Sequence, residues 1–148
     1  MKQNQRLLRH LNTSRLSNKE IHQLLSEIFG YRLADSTHFL LPFYSDYGRN
    51  IRIGKNVAVS CNVTMADRGG ITIGNNVEIG SGVSLLTVNG NQAGPIKIDS
   101  DVKIGGNVII LPGVRVGTGA IIGAGTIVAH DVSQRQVVSI DSEGGTLK

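Results

Sequence analysis

Tryptophan is missing from this sequence, and aromatic residues of any kind make up 4% of it. An ordinary globular core is filled by large side chains. This chain has to fill its interior differently, and short β-branched residues stacked in register would do so. A single cysteine, Cys61, excludes an intrachain disulfide. The N-terminal stretch "MKQNQRLLRHLNTSRLSNKE" contains no unbroken apolar run of signal-peptide length. Nor does any other run approach the length of a membrane span. The expectation is a soluble, cytoplasmic protein without a membrane partner, built as one domain in its 148 residues.

Histidine is also scarce. His10, His22 and His38 come early, and only His130 lies further on. A metal centre built from histidines on neighbouring repeats is therefore excluded, and no metal is expected. The net charge is +4, with much of the basic charge before Lys55. Such an end suits a solvated face, an anionic surface or an anionic small molecule. No arginine-rich run and no basic–aromatic interleaving occurs, so nucleic acid is not an expected partner.

What the sequence does have is rhythm. Ser17 and Glu20 form a capping-box pattern ahead of Ile21, Leu24, Leu25 and Ile28 at helical spacing, with Gly30 as the stop. Leu7, Leu8 and Leu11 make a second, shorter apolar stripe that must lie on one end or flank of the body. The segment "HFLLPFYSDYGRN" is expected to be a loop or irregular strand. Its aromatics serve as packing anchors or line a site.

From Ile53 an aliphatic residue returns every six positions: Ile53, Val59, Met65, then Ile73, Ile79, Leu85, then Ile98 through to Val128. A small residue often follows each one, and a second small or β-branched residue stands four positions on. A six-residue period is neither a helix period nor strand alternation. It belongs to hexapeptide β-helix repeats, in which three units close a triangular coil; about four coils are expected here. The fold class is thus an all-β solenoid, a parallel β-helix, with a short helical segment in front. The boundaries fall at 1–40 for the helical segment, 41–133 for the β-helix and 134–148 for a C-terminal tail.

The rhythm slips twice. Met65 to Ile73 is two residues too long, and Leu85 to Ile98 is seven too long. Both slips follow the third unit of a coil. The extra segments, near 67–70 and 90–97, should leave the prism at one shared corner, where a site is expected.

The segments "LPFYSDYGRNIRIGKNV", "ITIGNNVEIG", "LPGVRVG" and "IIGAGTIVAHDV" resemble the hexapeptide-repeat sugar O-acetyltransferases, the maltose and galactoside acetyltransferase group. The likeness runs from about Leu41 to Val132, and "PFYSDYG" narrows it to that group. The resemblance implies a left-handed β-helix and a homotrimer with sites between subunits. It implies acetyl-CoA as co-substrate and a sugar-like small-molecule acceptor. A histidine on the longer inserted loop would act as general base, because a sugar hydroxyl is a poor nucleophile at neutral pH.

By the same resemblance, Asp46, Ser60, Asn62 and Asn89 are expected near the acceptor. Gly106 and Ala124 would flank the pantetheine arm, and Ala129 and His130 the phosphate end of CoA. The family's histidine position holds Gly90, and the catalytic base is left unassigned. Lys103 replaces a customary tryptophan, and "SQRQVVSIDSEGGTLK" does not match the family's closing segment. Two readings stay open: an active O-acetyltransferase using another base, such as Asp46, Asp67 or a group from a neighbouring subunit, or a non-catalytic trimeric binding or structural protein.

Overall fold

The computed structural model describes residues 2–140 and the strand at 146–147. The chain opens with two helices, α1 (Lys2–Thr13) and α2 (Asn18–Phe29). The Ser17 capping box forms as the sequence predicts: the Ser17 hydroxyl accepts from Glu20 N at 3.2 Å, and Ser17 N donates to the Glu20 carboxylate at 3.1 Å. Gly30 ends α2 in the left-handed region, φ 82°, where a side chain would be strained.

The rest is a three-sided parallel solenoid. The first face stacks His38–Phe39, Ala58–Val59, Glu78–Ile79, Lys103–Ile104, Ile121–Ile122 and Val137–Ile140. The second stacks Phe43–Ser45, Val63–Ala66, Ser84–Leu86, Ile109–Ile110 and Ile127–Val128. On the third lie Ile51–Ile53, Ile71–Ile73, Ile96–Ile98 and Arg115–Val116, with Val132 bridging to Val116. Register keeps like over like: Ile53, Ile73, Ile98 and Val116 pair in sequence down the third face. Each strand buries one side and exposes the other, so aliphatic ladders fill the prism without large side chains.

The solenoid makes about five turns, one more than the six-residue beat suggests. The extra turn begins in the segment expected to be a loop. Phe39 and Phe43 take inward positions there, and the beat is hidden because Pro42 and the aromatics break the aliphatic pattern. Their rings meet edge to face at 4.9 Å, and Phe29 of α2 packs on them at 5.9 and 6.0 Å. These phenylalanines are packing anchors. They plug the open end of the prism, with Leu25 and Ile28 of α2 and Leu8 and Leu11 of α1 buried beside them.

The uppermost strand would leave a bare edge. Asn12 of α1 covers it: its amide nitrogen donates to Phe43 O at 2.8 Å, and its amide oxygen accepts from Phe43 N at 3.0 Å. At the far end, strand Val137–Ile140 continues the first face into the segment expected as a tail, while 141–145 and 148 lie outside the described residues.

The corners explain the small residues of the repeat. A Cβ on Gly105 would fall 2.6 Å from Ala124 N on the next turn. At the corner between the third and first faces, Asn56, Asn76 and Asp101 all have φ between 57° and 64°. Their side chains bond down the column, Asn56 to Asn76 at 2.9 Å and Asn76 to Asp101 at 3.2 Å.

Candidate functional site

The corner between the second and third faces carries the irregular segments, and they stack. In the first turn it is formed by residues 46–50, in the second by 67–70 and in the third by 87–95. The two slips in rhythm do share one corner, as the sequence predicts.

Asp67 knits the upper two loops together. It is completely buried at the end of strand Val63–Ala66. Its carboxylate accepts from Ser45 Oγ at 3.0 Å and from the main-chain amides of Tyr47, Gly48 and Asn50 at 2.8–3.1 Å. Burial alone would raise its pKa, but the amide bonds from Gly48, Asn50 and Tyr47 and the interaction with Asp46 outweigh it, and the carboxyl is held below its ordinary value. A carboxylate so saturated is a structural hub and a poor proton acceptor.

Asp46 is its opposite. Asp67 N donates to Asp46 Oδ1 at 2.9 Å, and Arg68 Nε approaches Oδ2 at 3.4 Å. Burial, together with the neighbouring Asp67 carboxylate, raises the Asp46 pKa, against smaller opposing effects of the Asp67 main-chain amide and then Arg68. About a third of its side chain stays exposed, so this carboxylate meets solvent.

The longer loop is a β-hairpin, Val88–Asn89 against Gln92–Ala93, with Gly90 and Asn91 at the tip. Gly90 has φ 62°, which suits the first position of a tight hairpin turn. A Cβ built there meets nothing within 4 Å. Thr87 anchors the hairpin: its buried hydroxyl donates to Ala66 O at 2.5 Å and accepts from Gly69 N at 2.8 Å. Gly69 is required beneath it, since a Cβ would sit 2.9 Å from Thr87 Cβ.

The residues expected at the site fall on two corners. Asp46, Asn89 and Gly90 lie at the loop-bearing corner, and so do Ala129 and His130, in the fifth turn. His130 is exposed beside a hollow of about 180 Å³. Ser60, Asn62, Gly106 and Ala124 instead stack at the corner between the first and second faces, where Gly125 N donates to Gly106 O at 2.9 Å. Asn62 has φ 62° there, at the level of Gly82, Asn107 and Gly125 on later turns, so it is also the turn-former of its coil. Ala124 and Ala129 are joined by one strand, which separates the corners by roughly 16 Å at about 3.3 Å per residue. Lys103 points outward on the first face near Glu78, 3.8 Å away.

Asp67 was visible in the sequence only as one alternative base. Its role as hub, like that of Thr87, has no local signature, because the partners lie on other turns. Among the described residues, no imidazole other than His130 stands at the loop-bearing corner.

Residues 50–87 match the family model described as hexapeptide repeat of succinyl-transferase, and residues 95–130 match bacterial transferase hexapeptide (six repeats). A putative acetyltransferase of Schizosaccharomyces pombe is 39% identical over 121 residues, covering 74% of this chain and 58% of that protein. The galactoside O-acetyltransferase of Escherichia coli is 35% identical over 141 residues, 88% of this chain and 68% of that one. The crystal structure of a hexapeptide-repeat acetyltransferase from Vibrio cholerae, complexed with acetyl coenzyme A, superposes with a TM-score of 0.89 at 32% identity. That superposition covers 99% of this chain and 85% of the Vibrio protein. The chain thus spans 58% to 68% of the length of these two curated relatives. The repeat, the stacked corner loops and these likenesses together establish that the chain belongs to the hexapeptide-repeat sugar acetyltransferase family.

Proposed function

We propose that this protein is a homotrimer that transfers an acetyl group from acetyl-CoA to a hydroxyl of a sugar-like acceptor. The observation that carries this reading is the likeness of 99% of the chain, helices and both corners included, to an acetyltransferase crystallised with acetyl coenzyme A.

Assembly follows from the split site. A small acceptor cannot touch both corners of one chain across the second face. Setting one copy's Ser60–Ala124 corner against the next copy's loop-bearing corner closes the gap, and three such contacts close a ring. The strands of the second face carry no charged residue, and Tyr44, Ile109 and Ile127 point outward from them, which suits burial between copies.

At Gly106 and Ala124 only a hydrogen and a methyl group cover the backbone, which fits a thin chain such as a pantetheine arm. Ala129 and His130 would face the phosphate end of CoA. Asp46, Ser60, Asn62 and Asn89 would orient the acceptor. The acceptor oxygen bonds to the acetyl carbon as the carbon–sulfur bond breaks. The hydroxyl proton passes to a base and then to the departing CoA sulfur, which leaves as the thiol. With Gly90 in the histidine position and Asp67 saturated, Asp46 is the base in this reading. It is partly exposed, and its raised proton affinity brings it closer to the working pH.

Gly90 also favours a second reading, a trimeric binding protein without catalysis. Release of CoA thiol from acetyl-CoA with a panel of sugars separates the two. An active enzyme turns over, and Asp46→Asn slows it by about 10²- to 10⁴-fold, the range of general-base loss. A silent parent beside an active Gly90→His variant would establish the non-catalytic reading.

A further inference from the structure

On the third-face side of the loop-bearing corner, Arg49, Arg52 and Arg68 converge from two successive turns on one hollow of about 360 Å³, floored by Gly69 and Gly70. We propose that this hollow is an anion site that takes the phosphoryl group of a small phosphate monoester. The acetyl-transfer reading gives Arg49 and Arg52 no role and involves Arg68 only through its ion pair with Asp46, so the proposal stands or falls separately from it.

Arg52 and Arg68 are held in place before any ligand arrives. The Arg52 guanidinium lies 5.0 Å from the centre of the Tyr31 ring and donates to Ile51 O at 3.0 Å and Arg49 O at 3.4 Å. Arg49 lies against Gly30, at the end of α2, where a Cβ would meet its guanidinium at 2.6 Å. Arg68 is oriented by the Asp46 carboxylate. Two carboxylates face the cluster from the stacked loops. Asp46 takes Arg68, and Asp67 is buried and filled by backbone amides. Among the described residues, no carboxylate lies within 4.0 Å of the Arg49 or Arg52 nitrogens.

Arg49 and Arg52 both line the hollow with positive charge that no carboxylate among the described residues offsets, so an anion placed there is attracted to both. Arg49 and Arg52 can offer guanidinium forks to a phosphoryl group, whose three terminal oxygens accept more such bonds than the two of a carboxylate, while Arg68, paired with Asp46, adds positive charge to the lining. The hollow is larger than a phosphate alone needs and falls in the size range of small-ligand pockets, so it also has room for the group that the phosphate esterifies.

The test is amide-shift titration of the full chain by NMR with glucose 6-phosphate, inorganic phosphate and glucose at constant ionic strength. Saturable shifts of the Gly69 and Gly70 amides with glucose 6-phosphate, and none with glucose, are expected. Arg49→Gln and Arg52→Lys should each weaken binding about tenfold or more, since the first removes a charge and the second keeps the charge but loses the fork. Inorganic phosphate binding the same amides equally well would support the anion site and identify free phosphate as its source. Because Arg52 also packs on Tyr31, Arg49→Gln decides the matter if Arg52→Lys fails to unfold cooperatively. Absence of saturation with either phosphate, shifts confined to other residues, or unchanged binding by folded Arg49→Gln would overturn the proposal.

Discussion

The main-chain amide of Asp67 donates to the carboxylate of Asp46 at 2.9 Å, so one acid is built into the surroundings of the other. Their titrations are pushed in opposite directions. For Asp67 the folded pKa is lowered from the ordinary 3.8, so its stabilisation is present above 3.8 and is lost as pH falls through the folded value. For Asp46 the folded pKa is raised from 3.8, so its contribution is present below 3.8 and is lost as pH rises through the folded value. Urea unfolding across pH should show Asp67→Asn with less acid-limb loss below pH 3.8 than the parent. In Asp46→Asn the decline above pH 3.8 should disappear. At neutral pH Asp67→Asn should cost about 2–4 kcal/mol, because an amide NH₂ would face buried N–H donors.

Asn12 stands in for a missing strand above Phe43. Asn12→Ala removes two hydrogen bonds and uncovers a sheet edge, at an expected cost of about 1–3 kcal/mol. Hydrogen exchange should report it locally: the Phe43 amide loses protection well before amides of the third and fourth turns.

Neighbouring glycines at one corner should separate folding from binding. A Cβ on Gly105 meets Ala124 N at 2.6 Å, so Gly105→Ala should destabilise the protein by about 1–3 kcal/mol. A Cβ on Gly106 meets only Ser81 O, at 3.2 Å. Gly106→Val should therefore still fold, at some cost in stability because Ser81 O must give way, while binding acetyl-CoA at least tenfold more weakly, as calorimetric titration would measure. Equal acetyl-CoA affinity in parent and Gly106→Val would remove the corner from the proposed binding groove.

Ile127 is 57% exposed on the uncharged second face. If that face is buried between copies, Ile127→Glu should convert a trimer to monomers in light scattering at micromolar concentration. The change should leave the monomer fold intact, because the residue points out of the prism. A parent that is already monomeric at that concentration would sink the trimer and the shared-corner site together.

The solenoid was legible in the linear chain because its cause is local. A residue that points inward every sixth position, a small residue where the next turn passes within contact distance, and a serine–glutamate cap all act over a few neighbouring positions. The pairings that make the site operate across turns, and those turns are unequal. Partners lie 20 residues apart between Asn56 and Asn76, 25 between Asn76 and Asp101, and 18 between Gly69 and Thr87. No fixed offset could reveal that Asp67 gathers the amides of 47–50, that Asn12 closes the edge at Phe43, or that Phe39 and Phe43 begin the first turn. Nor could it show that the expected acceptor and cofactor residues divide between two corners. Folding brings such residues together by stacking, and stacking distance depends on every insertion in between, so those relationships emerged only once the turns were laid one upon another.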